Sequence, residues 1–185
     1  MMFTTHSDEI SFFINTSQKL DQAPLYKNNK TKIETSVSAK VTVEFARQLM
    51  NFGMGDLVHL YEGFDARSFL LPKEEVLNYF YNRQISSRRN SIQMYAREYF
   101  TQKEINGLSG EEMVAKMLTE KGFDWETVSD WEKFGYFGTP KILVSHNGDE
   151  VLKAYKPSEF DCYEALPFKG EYREKLNEFV DYSVH

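Results

Sequence analysis

Cysteine is almost missing from this chain: Cys162 stands alone among 185 residues. That excludes an internal disulfide and any zinc site built on several thiolates, and a reducing cytoplasm is the expected setting. Tryptophan is scarce at two residues, so an aromatic content of 15% is mostly Phe and Tyr, which serve cores first and base-stacking surfaces second. No apolar run approaches the ~20 residues that a membrane-spanning helix requires, so no membrane partner is expected. The first 14 residues carry Asp8 and Glu9 and lack a basic start followed by an apolar stretch, so no signal peptide is read there. Positive charge is also in deficit. The net charge is −6, which weighs against nucleic acid as a partner of the chain as a whole.

What remains is an ordinary globular composition, 41% hydrophobic and 27% charged, in a length suited to one domain or a domain with an appendage. The charge is unevenly spread. Residues 1–76 carry −2 and residues 104–185 carry −8, whereas residues 77–103 carry +4 through Arg83, Arg88, Arg89, Arg97 and Lys103 against Glu98 alone. One basic island sits in an acidic chain. It is either a solvated helix face or a contact surface for phosphate.

Periodicity gives the elements. Ile10–Ile14 reads as a short strand, followed by a polar loop over 15–29. Ile33, Val37, Val41, Phe45, Leu49 and Phe52 recur at steps of three or four, which predicts a long amphipathic helix ended by Gly53 and Gly55. Residues 57–61 and 67–71 read as two strands joined near Gly63. Pro72 is placed to open a helix carrying Val76, Leu77 and Phe80, with a second helix starting at Ser86 or Ser87. Ser109-x-x-Glu112 is a capping box for a helix that Gly122 closes, with Met113 and Met117 on its core face. Apolar runs on either side of Asn147-Gly148 predict a hairpin, and a last charged helix is expected around 171–180. The order of elements indicates an α+β fold.

Chemistry concentrates in Ser7-Asp8-Glu9, immediately ahead of an apolar strand. Alternation along a strand sends adjacent carboxylates in different directions, so Asp8 can serve a metal site while Glu9 points elsewhere. Mg²⁺ takes a few hard oxygens and completes its shell with water and substrate phosphates. A pair of such ions, roughly 3.5–4 Å apart, clamps the attacking and leaving oxygens of phosphoryl transfer. A two-ion site needs at least one further carboxylate from another strand. The four histidines show no metal-ligand spacing and read as surface or strand residues.

Several short patterns, in shared order, resemble the tRNA-histidine guanylyltransferase family. Thr5-His6-Ser7-Asp8-Glu9-Ile10-Ser11-Phe12 resembles its second metal-binding motif, and Phe64-Asp65-Ala66-Arg67 one of its strands. Leu71-Pro72 to Arg83-Gln84 is similar to its Pro-to-Arg-Gln helix. Arg88-Arg89-Asn90-Ser91-Ile92 resembles the Arg-Asn-Ser-Ile form of the guanylyltransferase-like branch. Lys103-Glu104, Gly107-x-Ser109 and Gly122-x-x-Trp125 continue in register. The resemblance runs from about Thr4 to Gly135. The family's Ile-Asp-Gly-Arg strand, expected well ahead of Asp8, has no counterpart here, and neither does its Pro before a Lys-Arg-Gly step.

The resemblance implies an incomplete palm-like antiparallel sheet with helices over residues 1–72, and a mainly helical region with a β-hairpin over 73–185. It implies a two-Mg²⁺ nucleotidyltransferase that adds nucleotides 3′-to-5′ at a tRNA 5′ end, after activation of the 5′-phosphate from ATP. In this reading Asp8 and Glu9 hold metal, and Ser7 lies near a triphosphate. Lys30 and Lys32 either meet phosphate or form a solvated helix start. Arg83, Arg88 and Asn90 belong to a second nucleotide and tRNA-end contact region. Asp65 and Arg67 read as a structural ion pair. The implied partners are tRNA, GTP, ATP and further copies of the chain in a dimer or tetramer. Because the first metal motif is missing, an inactive tRNA- and nucleotide-binding remnant, or half of a split enzyme with a separate N-terminal fragment, stands beside the active enzyme.

Overall fold

A computed structural model of the chain describes residues 2–14, 23–147 and 150–163, and from residue 140 onward it describes the backbone alone. The expected helix around 171–180 lies outside the described residues. The chain divides into two contact units, Met1–Asn15 with Lys73–Tyr182, and Thr16–Pro72 with Ser183–His185.

The first unit is α+β, as the element order indicates. Its strands are β1 (Met2–His6), β2 (Glu9–Phe13), β3 (Tyr136–Asn147) and β4 (Glu150–Tyr163), in one antiparallel sheet of order β2-β1-β3-β4. β2 is the strand read at Ile10, shifted by one residue. β1 escaped the sequence reading, although it alternates as a half-buried strand should: Met2 and Thr4 are buried, Phe3 and Thr5 less so. The β3–β4 hairpin forms where Asn147-Gly148 announced it, and both arms run longer than expected. Its register shifts between Pro140 and Lys141, beside the residue that has no N–H to give to a ladder.

Helix α2 (Val76–Tyr99) is the longest element of this unit, and it is continuous through Ser86 and Ser87. The two helices expected there are one. Neither serine caps; instead the Ser87 hydroxyl donates back to the Arg83 carbonyl at 2.9 Å, and no Gly or Pro interrupts the backbone ladder. Near its start, Val76, Leu77 and Phe80 pack with Met2 and Phe137 in one core cluster. Near its end, Ile92 and Ala96 join Phe100, Ile105, Met113, Met117 and Trp125 in a second. Each large apolar side chain so buried contributes about 1.5–3 kcal/mol. Short helix α3 (Gln102–Ile105) and helix α4 (Gly110–Lys121) carry part of the second cluster. The Ser109/Glu112 capping box and the left-handed Gly122 form as expected, and Met113 and Met117 are core. Helix α5 (Asp130–Phe134) leads into β3.

The second unit is a 22-residue helix, α1 (Lys30–Asn51), with a segment folded back along it. The strands expected at 57–61 and 67–71 do not form: residues 55–60 make a 3₁₀ turn, and no regular element covers 61–72. The backbone groups a strand would have paired are met by α1 side chains. Thr42 Oγ1 accepts from the Phe64 N–H at 2.9 Å, the Ser38 hydroxyl donates to the Phe64 carbonyl at 2.5 Å, and Glu34 accepts from the Ser68 N–H at 2.6 Å. Phe45, Tyr61 and Phe64 form an aromatic triangle with centroids 4.9–5.5 Å apart. Asp65 and Arg67 pair at 3.6 Å as expected, at full exposure, where such a pair adds little. No helix among the described residues is long and apolar enough to cross a membrane.

Where α5 meets β3, Gly135 sits at φ 74° and ψ −166°, a region that side chains with a Cβ avoid. A Cβ there would fall 2.0 Å from the Thr5 carbonyl oxygen. Gly122, also at positive φ, faces open space. Gly135→Ala is therefore expected to cost about 3 kcal/mol or more, against about 1 kcal/mol for Gly122→Ala. Urea denaturation of the two variants measures the difference, and equal losses would contradict the close approach of β1 to Gly135.

Candidate active site

The Ser7-Asp8-Glu9 motif is the tip of the β1–β2 hairpin. His6 and Glu9 pair across a two-residue loop of Ser7 and Asp8, and Ser7 takes a left-handed φ of 55°. Short loops of this kind need a positive φ so that their twist matches the strands; a serine there is a strained choice. The loop lifts Ser7, Asp8 and Glu9 into solvent, all three exposed.

α2 runs beside this tip. The Ser11 and Tyr79 hydroxyls share a hydrogen bond of 2.9 Å that joins β2 to the first turns of the helix. One turn further on, the Arg83 guanidinium donates to the Glu9 carboxylate in an ion pair. Two predicted site residues, distant in sequence, therefore meet. Arg83 is the more enclosed partner, its side chain 27% exposed against 56% for Glu9. A guanidinium fork suits carboxylate and phosphate alike, and here the Glu9 carboxylate is its partner.

His6 lies at the base of the tip. Burial pushes its imidazole below the ordinary value and Arg83 pushes the same way. A hydrogen bond to the Glu132 carbonyl and the charges of Asp8 and Glu9 act against both. Reading the motif for carboxylates passed over His6 and Tyr79, because neither has a spacing that singles it out; only the hairpin and helix bring them to the tip.

The other predicted residues are placed apart. Arg88 and Asn90 lie further along α2. Asn90 is seven residues from Arg83 and so on the same helical face, exposed. Arg88 turns toward α4, pairing with Glu111 at 3.5 Å and lying over the Trp125 ring at 5.2 Å. Lys30 and Lys32 belong to the second unit, at the start of α1. Asn29 caps that helix by accepting from the Lys32 N–H at 3.0 Å, Lys30 pairs with Glu34 at 3.7 Å, and Lys32 lies 5.8 Å from the Tyr26 centroid. Both cations sit at the positive end of the helix dipole, where positive charge is disfavoured.

As a cation site the tip is partial. Asp8 is exposed and Glu9 is engaged by Arg83, and among the described residues no three His, Cys, Asp or Glu side chains gather to hold a metal. Asp8, with water and substrate phosphate, fits one Mg²⁺. The two-ion arrangement needs a carboxylate that these residues do not supply.

No protein-family model matches the chain, and no curated protein matches it. Solved structures do. A bacterial tRNA(His) guanylyltransferase-like protein in complex with ATP matches over 100% of this chain and 71% of its own, at 27% identity and a TM-score of 0.73. A bacterial protein of the same description in complex with GTP matches over 97% of this chain and 68% of its own, at 25% identity and a TM-score of 0.62.

The tip gives a direct electrostatic check. A histidine whose folded value is depressed stays neutral in the fold, so its contribution to stability is present above its ordinary value of about 6.5 and is lost as pH falls. Arg83→Gln removes a cation and leaves Glu9 unpaired, and both changes favour the imidazolium. The His6 titration followed by proton NMR is expected to move upward in this variant. An unchanged or lower midpoint would mean that Arg83 does not sit at the tip.

Proposed function

Because the chain shares the fold of the tRNA-histidine guanylyltransferase-like family, we propose that it is a nucleotidyltransferase that adds nucleotides 3′-to-5′ at the 5′ end of tRNA, with GTP and ATP as substrates. The observation that carries this reading is the meeting of Glu9 and Arg83 at an exposed hairpin tip, in a chain similar over nearly its whole length to proteins solved with those nucleotides. A cytoplasmic location and assembly into a dimer or tetramer go with the proposal.

In this mechanism Asp8 would hold Mg²⁺ through its carboxylate with Glu9 in a supporting role, and Arg83, now paired with Glu9, would engage a phosphate. Mg²⁺, when bound, supplies charge neutralisation at the phosphoryl oxygens. The Ser7 hydroxyl, carried at the turn, donates to the triphosphate. On the first unit Arg83 and Arg88 supply planar forks to phosphate; Lys30 and Lys32, on the second unit, are flexible point charges whose phosphate role rests on the family resemblance alone. Asn90 offers donor and acceptor together to the tRNA end or the second nucleotide. Positioning and electrostatics do most of the work, as phosphoryl transfer requires little covalent help from protein.

One observation favours a second reading. Asp8 and Glu9 lack a third ligand among the described residues, so a two-ion site needs a carboxylate from elsewhere. Under that reading the chain binds nucleotide and tRNA without turnover, or works with a separate N-terminal fragment as half of a split enzyme.

Labelled GTP, ATP, Mg²⁺ and a tRNA lacking its 5′ nucleotide decide between them. The enzyme reading expects label at the tRNA 5′ end, reduced about 100-fold or more by Asp8→Asn. Nucleotide binding without incorporation supports the second reading, and failure to bind either nucleotide contradicts both.

A further inference from the structure

Trp125 is packed more elaborately than a core residue needs. Its ring is 1% exposed, and its indole N–H donates to the Ser91 hydroxyl of α2 at 3.2 Å. Burial and one acceptor are all that an indole requires. Here two cations also lie on it, the Arg88 guanidinium at 5.2 Å and the Lys133 ammonium at 4.9 Å from the ring centroid. Lys133 has an internal explanation. It is itself buried, and it donates to the Glu126 carbonyl at 2.6 Å with the Glu126 carboxylate at 3.7 Å. It closes the turn between residue 126 and α5.

Arg88 has no such explanation. Its side chain is 38% exposed, and its other partner, Glu111, is 78% exposed at the first turn of α4. An ion pair so open to water holds a guanidinium weakly. The aromatic face holds it better, because attraction to the ring quadrupole persists where the cation is partly desolvated. The ring thus fixes one side of a planar fork, while the remaining side faces a carboxylate that water or another anion can replace.

We propose that Trp125 is a positioning residue: it holds Arg88 in readiness for a phosphate of the bound nucleotide or of the tRNA end, with Glu111 as the placeholder that this phosphate displaces. The proposal rests on the nucleotide reading above and deepens it by naming what orients Arg88. A free arginine loses side-chain freedom when it binds phosphate; an arginine already laid on Trp125 has lost most of it before the ligand arrives.

A double-mutant cycle on GTP binding with Mg²⁺, measured by titration calorimetry, tests this. Arg88→Ala is expected to weaken GTP about tenfold, and Trp125→Phe about threefold, since Phe is the weaker cation–π partner. In the Arg88→Ala background Trp125→Phe should have no further effect, because nothing is left to orient. Ser91→Ala, which keeps the ring but frees its N–H, should show the same dependence on Arg88 with a smaller loss of about twofold. It also keeps the test open if Trp125→Phe does not fold. Trp131→Phe leaves Trp125 as the sole tryptophan, and its emission should change on GTP binding only when Arg88 is present. Equal losses from Trp125→Phe with and without Arg88 would assign the ring a purely structural role and overturn the proposal. Tight GTP binding that ignores both Trp125→Phe and Ser91→Ala would also overturn it while leaving the nucleotide reading intact. Absence of GTP binding to the unaltered chain would remove both.

Discussion

Burial of one face of α2 along its length is the constraint from which the rest of the first unit follows. At its N-terminal end Val76, Leu77 and Phe80 are closed over by Met2 and Phe137, which come from β1 and β3. At its C-terminal end Ile92 and Ala96 are closed over by α3, α4 and the turn that carries Trp125. The two clusters lie along one continuous rod of 24 residues, so strands at one end and helices at the other share a reference axis. A break at Ser86, which the local sequence suggests, would have uncoupled them.

The same rod sets the chemistry. Its apolar face fixes β1, and β1 fixes the turn that lifts Ser7, Asp8 and Glu9 into water. One flank delivers Arg83 to Glu9, and five residues on, about 140° around the helix, a different side delivers Arg88 to Trp125. Each arginine is paired with a carboxylate, Glu9 in one case and Glu111 in the other. The chain is acidic as a whole, but α2 is locally basic, with Arg83, Arg88, Arg89 and Arg97 against Glu98.

The features legible in sequence were those fixed by local rules. The Ser109/Glu112 capping box, Gly122, the α1 periodicity and the Asn147-Gly148 hairpin each depend on a few neighbouring residues. The expected strands at 57–61 and 67–71 failed because a strand needs a partner, and here Glu34, Ser38 and Thr42 of α1 satisfy that backbone instead. β1 was missed although β2 pairs with it across a two-residue loop: its five residues are too short a run for alternation to stand out, and its other neighbour, β3, lies more than 130 residues away. For the candidate site, the Ser-Asp-Glu motif named Asp8 and Glu9, and the family resemblance named Arg83 and Arg88, one by one. Their grouping was not legible. That Glu9 meets Arg83, that His6 backs the tip, and that Arg88 turns away to Trp125 are products of tertiary packing.

The central claim is that nucleotide phosphate and its cation bind at the β1–β2 tip against α2. Paramagnetic broadening tests it most directly, with Mn²⁺ in place of Mg²⁺ and GTP as carrier, read on the backbone amides by NMR. The account predicts that Ser7, Asp8, Glu9 and Arg83 broaden first, and that Asp8→Asn removes the effect. Broadening centred elsewhere, with the hairpin tip untouched, would contradict it.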